Sequence, residues 1–349
     1  MKTRAVSMMS NGIDRREAHR FRRRVLGHDT IFLTEGGMDM NIGIIGAGLS
    51  GIVAARDLAR HGHTVELIEK SRSVGGRLAT RRIGDGKADH GAVYFTVRGE
   101  ALKQDVADWK TKGWVKVWYA DPYPRYVAVD GMNTLAKRLS DGLTVHLNER
   151  AETVTTRDGQ VSVQTDVTTR QYDRLLITSP LPQTLDLLTD FSVDAALREL
   201  TYAPTFVGLF EFRSEIAIGP DGILDTDLAP GLLKVINNRQ KGISATELVS
   251  VYMDESWSEE WYERANEDTL REIERLLQTV TGSAVIQSRQ LKRWRYAQAT
   301  DVWNGPYHRL RDEPIFLAGD VFLEPDDASG RTRFESAYVS GIRVAEAMR

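Results

Sequence analysis

The chain has no cysteine among its 349 residues. This absence excludes disulfide bonds, thiolate metal sites, a redox-active disulfide and any cofactor attached through cysteine. No apolar run approaches the roughly 20 residues that a membrane-spanning helix needs. We therefore assign no metal ligand and expect a cytoplasmic protein that makes no contact with a membrane.

The chain also lacks a dominant charge. Its 46 lysines and arginines nearly balance 49 aspartates and glutamates, for a net charge of −3. Nothing in this balance attracts nucleic acid or an anionic membrane. The length and the hydrophobic content of 41% suffice for one large hydrophobic core or two smaller ones. We expect two interleaved domains that act on a small molecule.

The first forty residues differ from the rest. They are rich in arginine, lack the apolar core of a secretory signal, and contain acids that a mitochondrial presequence avoids. We predict that residues 1–40 form a disordered or loosely docked tail. Because Met38 and Met40 directly precede the first predicted strand, this tail is also a candidate for an upstream-start artefact.

The most informative stretch runs from Asn41 to Arg77. It predicts a strand, a glycine turn, an amphipathic helix and a second strand that ends on Glu69. Gly46 suits the tight turn, Gly48 lets the backbone approach a diphosphate, and Gly51 lets the helix pack on the strand. Glu69 stands where a carboxylate binds the hydroxyls of a ribose. The predicted contacts are Gly46, Gly48, Leu49, Ser50, Gly51, Glu69 and Lys70.

The next residues, Val74-Gly75-Gly76-Arg77, resemble the second signature of the flavoprotein amine-oxidase superfamily. The resemblance implies a non-covalent FAD, with Gly76, Arg77 and Leu78 beside its diphosphate. The octet Asp89–Thr96 is similar to the segment that passes alongside the isoalloxazine in that superfamily. It implies contacts from Gly91, Ala92, Val93 and Tyr94.

The same resemblance extends to three later segments. It places Ala151 and Val154 near the adenine. It also implies that the strand ending in Gly319-Asp320 and the helix from about Arg333 close the site. There the carboxylate of Asp320 accepts a ribityl hydroxyl or orders the diphosphate, and the helix N-terminus faces the flavin pyrimidine. The implied contacts are Gly319, Asp320, Val321 and Val339.

The fold class expected from these signals is α/β. A Rossmann-type FAD-binding domain, similar to those of glutathione reductase and amine oxidases, is interleaved with an α+β substrate domain on a mixed or antiparallel sheet. Within the second domain, the pattern from Glu259 to Thr281 predicts one long helix. We assign residues 41–98, 142–190 and 312–349 to the FAD-binding domain, and residues 99–141 and 191–311 to the substrate domain.

The chain also resembles the renalase branch of the superfamily in its overall length, in the octet Asp89–Thr96 and in the stretches Tyr126–Leu139 and Lys292–Ala297. A bacterial renalase-type flavoprotein would oxidise the 2- and 6-dihydro isomers of NAD(P)H by hydride transfer to flavin N5. Oxygen would then be reduced to hydrogen peroxide. The resemblance implies no catalytic acid or base in the protein. The acidic loop Glu324–Gly330 is longer than the resemblance implies. Expected substrate contacts are Tyr126, Thr205, Trp294, Tyr296 and Glu335.

Two other functions remain open. An FAD-dependent amine oxidase or dehydrogenase would act on a small amine or carbocyclic substrate and often places a lysine near flavin N5. Lys292 is the lysine inside a candidate site motif, although its neighbours are typical of a strand surface. The second alternative is a flavin-binding protein without turnover.

The hypothesis of an upstream start makes a direct prediction. If translation naturally begins at Met38 or Met40, the natively expressed protein yields no peptides from residues 1–37. Mass spectrometry of that protein, digested with a protease that cleaves within this arginine-rich stretch, measures this. Detection of any such peptide contradicts the hypothesis.

Overall fold

The computed structural model describes residues 39–349, and the tail predicted at residues 1–40 lies almost wholly outside the described part. The helices are α1 (Leu49–Arg60), α2 (Glu100–Thr111), α3 (Met132–Leu139), α4 (Leu181–Leu187), α5 (Ala195–Arg198), α6 (Glu255–Glu260), α7 (Asn266–Thr281) and α8 (Phe334–Met348). In the described part of the chain, no helix combines the length and apolar character needed to cross a bilayer.

The strands are β1 (Asn41–Ile45), β2 (Thr64–Glu69), β3 (Thr80–Ile83), β4 (Gly86–Asp89), β5 (Val115–Ala120), β6 (Pro124–Ala128), β7 (Thr144–Leu147), β8 (Ala151–Arg157), β9 (Gln160–Thr165), β10 (Thr169–Tyr172), β11 (Arg174–Ile177), β12 (Tyr202–Phe212), β13 (Ile223–Leu224), β14 (Leu232–Asn237), β15 (Leu248–Met253), β16 (Ile286–Ala299), β17 (Trp303–Asn304), β18 (His308–Arg309), β19 (Ile315–Leu317) and β20 (Phe322–Leu323).

The first domain is built on a six-stranded sheet in the order β18-β19-β11-β1-β2-β7. Strand β1 is parallel to β2 and β11, while β7 and β19 extend the parallel pairing on either side. The apolar run Ile42–Ile45 occupies the centre, as a strand covered on both faces requires. This confirms the expected Rossmann-type fold, assembled from three separate parts of the chain.

Helices α1 and α8 cover one face of this sheet and approach each other closely. A Cβ on Gly341 of α8 would lie 2.6 Å from the carbonyl oxygen of Ser50 on α1. The close approach therefore requires glycine, and it holds the middle of α8 against the start of α1.

The segment 99–141 departs from its predicted domain. The apolar side chains of α2 and α3, such as Leu102, Trp109 and Leu135, join the core formed by β1, α1 and α8. Only the β5–β6 hairpin reaches toward the second sheet, where Trp118 and Tyr119 pack against that sheet's core. The amphipathic pattern of α2 and α3 predicts helices correctly but does not identify the sheet that they cover.

The second domain is a five-stranded antiparallel sheet in the order β13-β14-β15-β12-β16, with α7 packed against it. This confirms the expected antiparallel sheet with a helix. The single helix predicted over Glu259–Thr281 is wrong, because α6 and α7 are separated by a turn at residues 261–265. Helix α6 begins earlier than predicted, where the Asp254 carboxylate accepts a hydrogen bond from the amide of Trp257 at 2.8 Å.

A fully buried ion pair joins the two domains. The Lys241 ammonium donates to the Asp89 carboxylate and to the carbonyl oxygen of Val93, both at 2.6 Å. Both side chains are at most 1% exposed. The other carboxylate oxygen of Asp89 accepts from the amide of Met132 at 2.9 Å. Burial lowers the pKa of Lys241, against the attraction of Asp89.

Replacement of Lys241 tests whether its ion pair with Asp89 holds the two domains together. Lys241→Met leaves the Asp89 carboxylate buried without its counter-charge, so we expect a loss of about 3–5 kcal/mol in the free energy of unfolding. The matched control is Lys87→Met, which removes a partly exposed pair with Asp130 at 3.4 Å and should cost less than about 1 kcal/mol. Urea denaturation measures both. Equal losses would contradict the structural role of Lys241.

Candidate functional site

The glycine turn after β1 opens a long cleft along the carboxyl ends of the parallel strands. Gly46 adopts φ 101° and donates its amide to the carbonyl oxygen of Ile68 at 2.9 Å. The cleft has a volume of about 1920 Å³ and continues between the two domains. Ligands of open α/β sheets bind at this end of the strands.

The carboxylate of Glu69 is held in place at one end of this cleft. Its two oxygens accept hydrogen bonds from the amides of Ala47 at 3.0 Å and Ser71 at 2.8 Å. Because a carboxylate oxygen has two lone pairs, each oxygen keeps the capacity to accept from a ribose hydroxyl. The position therefore fits the predicted ribose contact.

Two glycines present bare backbone to the cleft. A Cβ added to Gly48 would meet no atom within 4 Å, and one added to Gly76 would lie 3.5 Å from the Cα of Gly48. The walls thus approach each other closely here, beside the free amides at the start of α1. This is the environment that a diphosphate requires. Gly51 instead has a packing role, since its Cβ would collide with the carbonyl oxygen of Gly46.

Arg77 and Asp320 form a bidentate ion pair across the cleft. The guanidinium donates to the two carboxylate oxygens at 2.6 and 2.8 Å, and also to the carbonyl oxygen of Ala297 at 3.1 Å. Burial acts to lower the pKa of Arg77, but the charge and hydrogen bonds of Asp320 outweigh it and raise that pKa above its ordinary value. This pair connects the Gly-Gly-Arg and Gly-Asp signatures, which are 243 residues apart.

The octet Asp89–Thr96 lies along the same cleft. A Cβ on Gly91 would collide with the carbonyl oxygen of Arg77, so only glycine fits there. The amide of Ala92 donates to that oxygen at 2.8 Å, and the Tyr252 hydroxyl donates to the carbonyl oxygen of Gly91 at 3.0 Å. Hydrogen bonds from both domains therefore fix the backbone of this segment.

Most of the predicted cofactor contacts line the cleft. Four do not: Gly51 packs under the turn, Val154 and Val321 belong to the core beneath the sheet, and Val339 packs against the other core. The predicted contacts that line it are Gly46, Gly48, Leu49, Ser50, Glu69, Lys70, Gly76, Arg77, Leu78, Gly91, Ala92, Val93, Tyr94, Ala151, Gly319 and Asp320.

Four of the five predicted substrate contacts also line the cleft: Thr205, Trp294, Tyr296 and Glu335. Tyr126 does not, because its ring stacks on Phe95 at 5.6 Å between centroids and joins the edge of a core. The carboxylate of Glu335 accepts from the amide of Gly99 at 2.6 Å and from that of Arg98 at 3.0 Å. Glu335 therefore holds the start of α2 in addition to lining the cleft.

The sequence did not indicate the charge of the cleft. Fifteen lysines and arginines line it, against six aspartates and glutamates. They come from segments scattered between Glu69 and Glu335, so no run of basic residues marks the site in the sequence. On β16 the consecutive residues Lys292–Gln298 line the cleft, and three of them, Lys292, Arg293 and Arg295, are basic.

Two glycine substitutions separate folding from ligand binding. Gly48→Ala adds a methyl group in open space, so the free energy of unfolding should change by less than about 1 kcal/mol while FAD affinity falls at least tenfold. Gly51→Ala should instead destabilise the fold by about 1–3 kcal/mol through overpacking. Urea denaturation and FAD titration measure the two effects. Unaltered FAD affinity in Gly48→Ala would contradict the diphosphate assignment.

The comparisons with known proteins agree with this geometry. Residues 108–349 match the family of flavin containing amine oxidoreductases, and residues 44–109 match an NAD(P)-binding Rossmann-like domain. The L-tryptophan oxidase of Lentzea aerocolonigenes is 45% identical over 58 residues, which cover 17% of this chain and 11% of the relative. A 4-hydroxybenzoate brominase of Marinomonas mediterranea is 36% identical over 91 residues, covering 26% and 17%. The curated relatives are thus matched over a small part of their length.

Solved structures match nearly the whole chain at low identity. A protein from Exiguobacterium sp. 255-15, with a suggested protoporphyrinogen oxidase activity, has a TM-score of 0.66 at 14% identity. The match covers 90% of this chain and 99% of that one. A fatty acid isomerase from P. acnes has a TM-score of 0.62 at 14% identity, covering 88% and 98%. These matches support the fold alone. The family match spans more than half of the chain, which therefore belongs to the flavin-containing amine oxidoreductases and is an FAD-dependent enzyme.

Proposed function

We propose that this enzyme oxidises the 2- and 6-dihydro isomers of NAD(P)H to NAD(P)⁺, with oxygen reduced to hydrogen peroxide. In this reaction the dihydronicotinamide, oxygen and one proton give the aromatic nicotinamide and peroxide. The observation that carries the proposal is the charge of the cleft, where basic residues outnumber acidic residues by fifteen to six in a chain whose net charge is −3. A diphosphate-bearing substrate suits this field.

The size of the cleft supports the same substrate class. Pockets for a single small molecule have volumes of roughly 300–1,000 Å³. The cleft here, at about 1920 Å³, exceeds that range and extends from Glu69 to Trp294. Such a volume accommodates FAD along one part and a second dinucleotide along another.

The bound FAD supplies the acceptor for the hydride and the route for electrons to oxygen. The task of the protein is to orient the dihydronicotinamide and exclude water. Trp294 and Tyr296 offer flat faces for this purpose on β16, and the indole of Trp294 donates a hydrogen bond to the carbonyl oxygen of His90, directly before Gly91.

No proton-transfer residue is required, since the dihydronicotinamide becomes aromatic when it loses hydride. The one histidine that lines the cleft in the described residues, His90, does not supply a base of ordinary strength. Burial first, and then the positive charge of Lys292, lower the pKa of His90 to about 4. Its imidazole is therefore neutral and weakly basic at pH 7.

The alternative of a small amine substrate is disfavoured by the same charge. A protonated amine would enter a field of its own sign, which raises its free energy in the cleft. Lys292 also contacts Gln290 at 3.4 Å, and its pKa is lowered by burial and by two arginines.

The test is anaerobic mixing of the holoenzyme with borohydride-reduced NAD, which contains several dihydro isomers, while the flavin absorbance is followed. We expect rapid bleaching, then recovery in air with one peroxide formed per flavin reoxidised. Ordinary 4-dihydro-NADH and a panel of amines are the controls and should bleach the flavin much more slowly. Faster bleaching by an amine contradicts the proposal, as does a flavin that no isomer reduces.

Ionic strength provides a second, independent readout. Because salt screens the attraction between the cleft and an anion, kcat/KM for the dihydro isomer should fall roughly tenfold between 0.05 and 0.5 M salt. A cationic amine substrate would show the opposite dependence.

A flavin that dithionite reduces and oxygen does not reoxidise would favour a non-catalytic flavoprotein.

A further inference from the structure

Two cations of the cleft share one neutral partner. The guanidinium Nε of Arg81 donates to the side-chain oxygen of Gln290 at 3.3 Å, and the Lys292 ammonium donates to the same oxygen at 3.4 Å. In the described part of the chain, these are the only hydrogen bonds that either side chain makes. Arg81 lies on β3 and Lys292 on β16, so the two domains each contribute one charge.

The positive charge of this pair is not neutralised by a carboxylate. Among the described residues, neither Arg81 nor Lys292 takes part in a salt bridge, although both side chains are partly buried. Burial first, and then the charges of Arg81 and Arg72, lower the pKa of Lys292. Partly buried cations that repel each other cost free energy unless an anion binds them.

The residues beside the pair form a flat apolar surface. The rings of His90 and Trp294 stack at 5.5 Å between centroids with planes 25° apart, and the indole nitrogen donates to the carbonyl oxygen of His90 at 2.6 Å. The Nδ1 atom of His90 is buried without a hydrogen-bond partner among the described residues. A ligand that joins a flat ring with a polar edge to an anionic group could stack on this surface, bond to the Nδ1 atom of His90 and reach the cation pair.

The spacing along β16 separates this pair from the predicted FAD diphosphate site. Arg77 contacts the backbone of Ala297, five residues from Lys292. Because β16 has two extra residues between Trp294 and Gln298 relative to its partner β12, the two positions are closer than the roughly 16 Å that five residues of regular strand would span. Trp294 lies between them, on the same face as Lys292 and roughly 7 Å from it.

We propose that Arg81 and Lys292, held apart by Gln290, bind a phosphate group of the substrate dinucleotide. The inference rests on the proposed function, because it takes the nicotinamide to lie against Trp294. Phosphate oxygens accept charge-assisted hydrogen bonds from both side chains, and the planar guanidinium donates two in parallel. Arg81 and Lys292 would thus determine specificity, because they favour dinucleotides over nicotinamide compounds that carry no phosphate.

The test uses the holoenzyme variants Arg81→Gln and Lys292→Gln. The matched control is Arg157→Gln, which removes a cation that is 92% exposed on β8, outside the cleft. For the dihydro isomers of NADPH, which carry both the diphosphate and the 2′-phosphate, each cleft variant should raise KM roughly ten- to a hundredfold with kcat nearly unchanged. For the dihydronicotinamide riboside isomer, which has no phosphate, KM should match that of the unsubstituted enzyme.

Comparison of the NADH and NADPH isomers identifies which phosphate binds. An equal rise in KM for both assigns the diphosphate, and a rise confined to the NADPH isomers assigns the 2′-phosphate. Either result supports the subsite. An equal rise for the riboside overturns it, as does an unchanged KM for every substrate.

A binding measurement keeps this inference separate from the proposed function. Inorganic pyrophosphate is titrated into each holoenzyme by calorimetry, with FAD retention recorded on the same samples. We expect the cleft variants to bind pyrophosphate at least tenfold more weakly than the unsubstituted enzyme, and Arg157→Gln to bind it equally well. All variants should retain FAD fully. Unaltered pyrophosphate binding, or FAD release by the cleft variants, overturns the subsite. If no isomer reduces the flavin and pyrophosphate still depends on Arg81 and Lys292, the proposed substrate fails and the anion site stands.

Discussion

The arrangement of the site depends on one buried ion pair. Lys241 and Asp89 come from different domains, and their contact removes both charges from water. Such a pair is costly unless its remaining hydrogen-bonding capacity is satisfied. Here the backbone supplies the missing partners: the carbonyl oxygen of Val93 accepts from Lys241, and the amide of Met132 donates to Asp89. The cost of burial is therefore offset by bonds that also fix the octet Asp89–Thr96 along the cleft.

Charge is distributed unevenly in this molecule. The chain as a whole is slightly acidic, yet the cleft between its domains is strongly basic. Within the cleft, Arg77 has a carboxylate partner in Asp320, whereas Arg81 and Lys292 share only an amide. The first arrangement stabilises the fold at the nucleotide end. The second leaves positive potential at the far end, where an incoming anion gains the most from it.

The sequence predicted the nucleotide-binding part well because its signals are local. Strand β1, the turn at Gly46, helix α1 and Glu69 lie within thirty residues, and each is constrained by short-range geometry. The segment 99–141 was placed in the wrong domain because its helical pattern specifies an apolar face and not the surface that the face meets. Likewise, Lys241 could not be paired with Asp89 from the sequence, since 152 residues separate them. The predicted contacts Tyr126 and Val154 pack in hydrophobic cores instead of lining the cleft, because an apolar side chain in the sequence does not show which surface it meets.

The close approach of α8 to α1 has a consequence for synthesis. Strand β1 and α1 are among the first described elements to leave the ribosome, while α8 is the last. The apolar face of α1 that α8 covers, including Val53, stays exposed until Gly341 and its neighbours have emerged. Contacts between segments so distant in sequence form slowly, and exposed apolar surface in the meantime favours aggregation. The nucleotide-binding domain is thus begun before the second domain and completed after it.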